Sequence, residues 1–176
     1  MKKNSELVCY LEGLSADELA VEIIRLAKLF SVVRDYYKVW LSDNGDVALL
    51  EKCQHTIQKA FSSHSDFSGP HLRIARQAVM DFIKVSDNCQ SVAEAMLCYT
   101  ETGVKFTNTY GDMDTPFYES IERMYDKAAQ YVISHGLRDT FQHRFQKMVM
   151  ETSDIGWGFH DELMNMYTHC FRTSSS

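Results

Sequence analysis

The residues of this 176-residue chain that could do chemistry include seven histidines, five cysteines and 24 carboxylates, and their spacing argues against most familiar schemes. A di-iron helical bundle needs Glu-x-x-His, so that both ligands leave one helix face. No glutamate here has a histidine three residues on. Glu51 and His55 are four apart, as are Asp139 and His143, which suits pairing along an exposed helix face. The zinc motif H-E-x-x-H is absent. His160-Asp161-Glu162, together with Asp112 and Asp114, could meet around an ion, but acids in a first helical turn are explained by the helix dipole, and no metal is assigned. There is no G-x-S-x-G, no Cys-His signature and no phosphate-cradling loop, so no catalytic residue is assigned and no cofactor is implied.

What remains is a pair of aromatic-glycine connections. Thr109-Tyr110-Gly111-Asp112 closes one helical pattern and Gly156-Trp157-Gly158-Phe159 opens another. Bulky rings beside glycine can floor a pocket that a ligand approaches closely, with Tyr110, Asp112, Trp157 and His160 facing it. Backbone N–H groups at Gly156-x-Gly158 could hold an anion. The plainer reading is that Trp157 and Phe159 plug the end of a bundle, the usual fate of large rings. In an up-down arrangement, two intervening helices return the chain to the same end, so the two connections are expected to be neighbours. A second candidate is Arg73 with Arg76, three apart near a helix start, where positive charge needs an acidic partner or an anionic ligand. They belong to a locally basic stretch: residues 52–84 hold five basic and two acidic side chains, a net of +3 against −9 for the rest.

The elements that position these residues are helical. Ser15-Ala16-Asp17-Glu18 reads as a capping box. The pattern it opens carries Leu19, Ile23, Leu26, Phe30, Val33, Tyr37 and Trp40, a continuous stripe that predicts one long helix to about Leu41 with Leu26 and Phe30 in the core. A short helix is expected before it, around Ser5 to Leu11. Further helices are expected over Asp46–Ala60, Pro70–Val85, from a Ser91 cap to Tyr110, from an Asp114 or Thr115 cap to a left-handed Gly136, over Leu137–Thr152, and from Phe159 to Phe171. Ser62 to Gly69 reads as a polar loop and residues 173–176 as a frayed tail. Gly103 falls inside a helix and marks a close helix contact or a weak point. The expectation is a single all-α domain over residues 1–172, with about eight stacked antiparallel helices, as a bundle or a short helical-hairpin array.

Composition bounds the function. A net charge of −6 argues against a general nucleic-acid binder or a basic membrane-surface protein. No stretch approaches a membrane span, and no secretory core follows the start. Cys9, Cys53, Cys89, Cys98 and Cys170 are odd in number and never in C-x-x-C spacing, which suits reduced thiols and a cytoplasmic protein.

Three stretches carry a resemblance: Leu14 to Leu19 with Val33-Arg34-Asp35-Tyr36-Tyr37, then Thr109 to Asp112, then Gly156 to Phe159. In order and spacing they resemble an uncharacterised bacterial all-helical family catalogued as a domain of unknown function. The likeness runs from about Leu14 to Phe171. It implies a cytoplasmic helical protein and transfers no activity, substrate or site. The leading reading is therefore a non-enzymatic interaction or scaffold module with a protein partner. The alternative is a small-molecule or anion-binding protein, or an enzyme, with its site at the Tyr110/Trp157 end.

Overall fold

The computed structural model describes residues 3–62, 69–156 and 158–172. Trp157, most of the serine-rich loop after Ser62 and the 173–176 tail lie outside the described residues. The fold is all-α: 82% helical, with nine α-helices, a C-terminal π turn and no strand among the described residues. The chain divides into two compact units, Met1–Gly45 and Asp46–Ser176.

The first unit holds α1 (Lys3–Glu12), α2 (Ala16–Leu29) and α3 (Ser31–Leu41). The capping box forms as read: the Ser15 oxygen accepts from the Glu18 N–H at 3.3 Å, and the Glu18 carboxylate accepts from the Ser15 N–H at 2.8 Å. The single long helix expected to Leu41 does not form. Phe30 takes extended backbone, φ −122° and ψ 116°, and splits the run into α2 and α3. No glycine or proline marks the break, which is why periodicity alone reads through it. Leu26 and Phe30 are not core residues either: they stand 40% and 56% exposed, and neither α2 nor α3 has a buried side chain.

The second unit holds α4 (Gly45–Ser62, which begins on the last residue of the first unit), α5 (Leu72–Ile83), α6 (Cys89–Tyr110), α7 (Thr115–Ser134), α8 (Arg138–Glu151), α9 (Phe159–Tyr167) and the π turn Thr168–Arg172. The core is here. Helix α6 runs through it, burying Met96, Leu97, Tyr99, Val104 and Phe106, and α7 packs against it with Phe117, Ile121 and Tyr125. Gly103 marks a close helix contact, because a Cβ built there would fall in the space of the Ile121 side chain. Asn88, not Ser91, caps α6: its side-chain oxygen accepts from the Gln90 and Ser91 N–H groups. The Ser91 hydroxyl is drawn away to Asp46, which also accepts from the Ser86 hydroxyl. Asp114 caps α7 by accepting from the Phe117 N–H at 3.1 Å, and Gly136 follows α7 with φ 68°.

The end of the chain is anchored by rings. Phe171, in the π turn, lies between Phe145 at 5.0 Å and Tyr167 at 5.2 Å, centroid to centroid. The Arg138 guanidinium donates to the Phe171 carbonyl, one of the groups a helix end leaves without an intrahelical partner.

Candidate functional site

The corner predicted from the aromatic-glycine connections is a real place in the fold. Helix α6 ends at Tyr110 because Gly111 adopts φ 88°, a value side chains disfavour, while its N–H still bonds the Thr107 carbonyl at 2.8 Å. The chain then loops through Asp112 and Met113 to the Asp114 cap. The Tyr118 hydroxyl on α7 holds this loop. It accepts from the Met113 N–H at 3.2 Å, pairs with the Thr107 hydroxyl at 3.0 Å and reaches the Asp112 carboxylate at 3.5 Å. The opposite side of the same residue meets the other connection, with the Phe159 ring centroid 4.7 Å away. Asn108 on α6 also donates to the Glu151 carbonyl at the end of α8, at 2.9 Å. The two connections are therefore neighbours, although some 40 residues of chain separate them.

All the predicted residues except Trp157 can be placed. Tyr110 is 59% exposed and lies against Phe106, centroid to centroid 4.8 Å. Asp112 is exposed, with Tyr118 as its partner. His160 is half-buried, and its Nδ1 lies 3.1 Å from the Val149 carbonyl and 3.2 Å from the Thr152 hydroxyl. With Nδ1 protonated, the ring donates to the carbonyl and so closes the end of α8 from the first turn of α9. The plug is Phe159, fully buried. Trp157, the residue on which the pocket reading leaned most, is outside the described residues.

Arg73 and Arg76 are exposed on α5 and make no ion pair with any described residue. The rings Tyr110, Phe106 and Phe61 run in contact to the end of α4, where the Ala60 carbonyl accepts from the His71 N–H at 2.9 Å. The start of α5 therefore lies at the same end of this unit as the corner. No described hydrogen bond or ring contact ties either arginine to Tyr110, Asp112 or His160.

The strongest polar cluster lies elsewhere and was not read from the sequence. Arg144 on α8 grips Glu101 on α6 with two bonds, 2.7 and 2.8 Å, and Glu94 with a third at 2.6 Å. These charge-assisted bonds raise the arginine's hold on its proton, and the guanidinium also lies 5.8 Å over the Phe141 ring. The signal available was the seven-residue spacing of Glu94 and Glu101, two turns of one helix face. It gave no sign of which cation would answer.

The thiols in the core are held in their inert form. Burial pushes Cys53 up to about 12, and burial raises Cys98 as well, so neither is a thiolate at neutral pH. Tyr131 is pushed up to about 12 by burial and by its contact with Cys89. On α7, burial raises the Glu122 carboxyl, with Glu162 and Glu119 adding like charge. Among the described residues no three His, Cys, Asp or Glu side chains gather as a metal site would need.

An all-helical protein of this kind, with a ring-packed corner and a half-buried ion-pair cluster, is the class that fold and site define. Its family is explicit: residues 1–171 match DUF6155, a family of unknown function, and the chain belongs to it. No curated protein and no solved structure matches the chain.

Proposed function

We propose that the protein is a non-enzymatic interaction module, working in the cytoplasm, that binds a protein partner through its N-terminal unit. One observation carries this reading. Thirteen of the nineteen large apolar side chains that stand exposed among the described residues precede Gly45, with Val21, Leu29 and Trp40 at 63–65% and Leu41 at 82%. Apolar surface gathered in this way marks an interaction site more often than a solvated face. Five free cysteines fit a reducing compartment. No described helix is long and apolar enough to cross a membrane.

The test is site-directed photo-crosslinking in cells. A photoreactive phenylalanine analogue is placed at Leu29 or Trp40, and as controls at Ile133 and Met150, which are also exposed. Discrete crosslinked species from the first pair alone are expected. Silence at both N-terminal positions, or equal labelling at all four, overturns the reading. The alternative, a small-molecule or anion site at the corner, takes its place if a metabolite raises the melting temperature of the wild-type chain and not of Tyr110→Ala.

A further inference from the structure

Of the five asparagines in the chain, only Asn44 precedes a glycine. That pairing carries a reaction of its own. A main-chain nitrogen can attack the side-chain carbonyl of the asparagine before it, and glycine, having no Cβ, shields its nitrogen least. The structure places the pair in the turn between α3 and α4. Asn44 is exposed, and among the described residues no hydrogen bond holds its side chain. Gly45 is buried, and its N–H donates to the Ser42 carbonyl at 3.0 Å. This glycine is required for space, since it is not among the described glycines of positive φ. A Cβ here would press on the Lys38 carbonyl oxygen and lie 2.7 Å from the Val39 Cα. Packing therefore fixes the reactive pair in place, because no residue that would shield the nitrogen fits.

The same turn restrains the reaction. Attack requires the Gly45 nitrogen to lose its proton and leave the Ser42 carbonyl, so it waits on a local opening of residues 42–45. The nitrogen then bonds to Asn44 Cγ, the Cγ–Nδ2 bond breaks, and ammonia departs with the Gly45 proton, leaving a five-membered succinimide. Water opens that ring at either carbonyl. One route gives aspartate with the main chain unchanged, and the new carboxylate stands just ahead of α4, where the helix dipole favours it. The other gives isoaspartate, whose main chain runs through Cβ and Cγ and is one methylene longer. Gly45, set on Lys38 and Val39 without room for a Cβ, cannot absorb that length and keep its bond to Ser42. We propose that Asn44-Gly45 is a self-modification site, at which the chain converts Asn44 to aspartate or isoaspartate at a rate set by opening of the 42–45 turn, and that the isoaspartyl form cannot close the turn again. The proposal is independent of the interaction reading above.

The test ages the purified full chain for a month in mildly alkaline buffer, natively and in urea. The tryptic peptide from Val39 to Lys52 holds no other asparagine and no glutamine, so a gain of one mass unit there reports Asn44 alone. The gain is expected in the native chain and at least tenfold faster in urea, with Asn4, Asn88, Asn108 and Asn165 unchanged in the native sample. The product should separate into two isomers, of which one accepts a methyl group from an isoaspartyl methyltransferase. Asn44→Gln, whose attack would need a six-membered ring, should show neither. Amide hydrogen exchange then reads the turn. Asn44→Asp should protect the Gly45 N–H as wild type does, whereas the purified isoaspartyl form should exchange it at least tenfold faster. A native chain that keeps Asn44 intact throughout, equal rates in native buffer and in urea, or an isoaspartyl form with Gly45 as protected as in wild type overturns the proposal.

Discussion

Gly103→Ala tests how closely α6 and α7 approach. The added methyl enters the space of the Ile121 side chain, and Ile121 is fully buried. Two effects oppose. Alanine favours the helix over glycine by about 0.8–1.0 kcal/mol. Overfilling a packed core costs roughly 1–3 kcal/mol. Packing wins, and a net loss of about 1 kcal/mol is expected, read as a lower urea midpoint at constant slope. Ile121→Val removes the terminal methyl that the new Cβ would strike, and by itself costs about 0.5–1.5 kcal/mol for the void. In the double variant the alanine methyl occupies that void. Its stability should return close to the wild-type value, since the helix gain is kept and the clash with Cδ1 is gone, leaving only the milder approach to Cγ1 at 2.8 Å. A Gly103→Ala variant as stable as wild type, or strictly additive effects in the double variant, would refute the close approach.

Three further outcomes follow from the same structure. Arg144→Ala should cost about 1–3 kcal/mol, because it leaves the Glu94 and Glu101 carboxylates together, partly buried and uncompensated; the bonds are only partly screened from water, which keeps the loss below that of a fully buried pair. Glu122→Gln should raise the urea midpoint at pH 7: the folded state raises this carboxyl, so its stability contribution is complete below the unfolded-state value and is lost as pH rises through the folded one, and the advantage of glutamine should therefore fade below about pH 4. Leu26→Ala should change monomer stability by less than about 1 kcal/mol, whereas Phe145→Ala, fully buried against Tyr125 and Phe171, should cost about 3–5 kcal/mol in the same thermal melts.

The features legible in the sequence are those whose chemistry is local. Ser15 with Glu18, Asp114 as a cap and Gly136 as a left-handed terminator all act within a few residues, so type and spacing suffice. Gly103 was readable because a glycine inside a helix needs a reason. The corner was legible from topology, since two intervening helices bring the chain back to one end. What stayed hidden depends on partners distant in sequence. Ser91 looks like a cap until Asp46, 45 residues earlier, draws its hydroxyl away. Arg144 finds Glu101 and Glu94 across 43 and 50 residues. His160, a candidate pocket residue beside an acidic turn, meets a carbonyl of the preceding helix. Burial was misjudged in α2 and α3 because an amphipathic stripe says which face seeks cover and nothing about what provides it.

The joint at Phe30 has a mechanical consequence. The periodicity from Leu19 to Trp40 is written for a straight rod, yet one residue in extended backbone turns it into two shorter rods. Hydrogen bonds still meet on that residue: its N–H bonds the Leu26 carbonyl at 2.8 Å, and its own carbonyl accepts from the Arg34 N–H at 3.3 Å. Returning φ and ψ of Phe30 to helical values would fuse α2 and α3 into a rod of about 39 Å, at roughly 1.5 Å per residue, with every side chain of the stripe in one line. The sequence thus encodes an elbow whose straight form is a single dihedral pair away, without the freedom of a glycine or the lock of a proline.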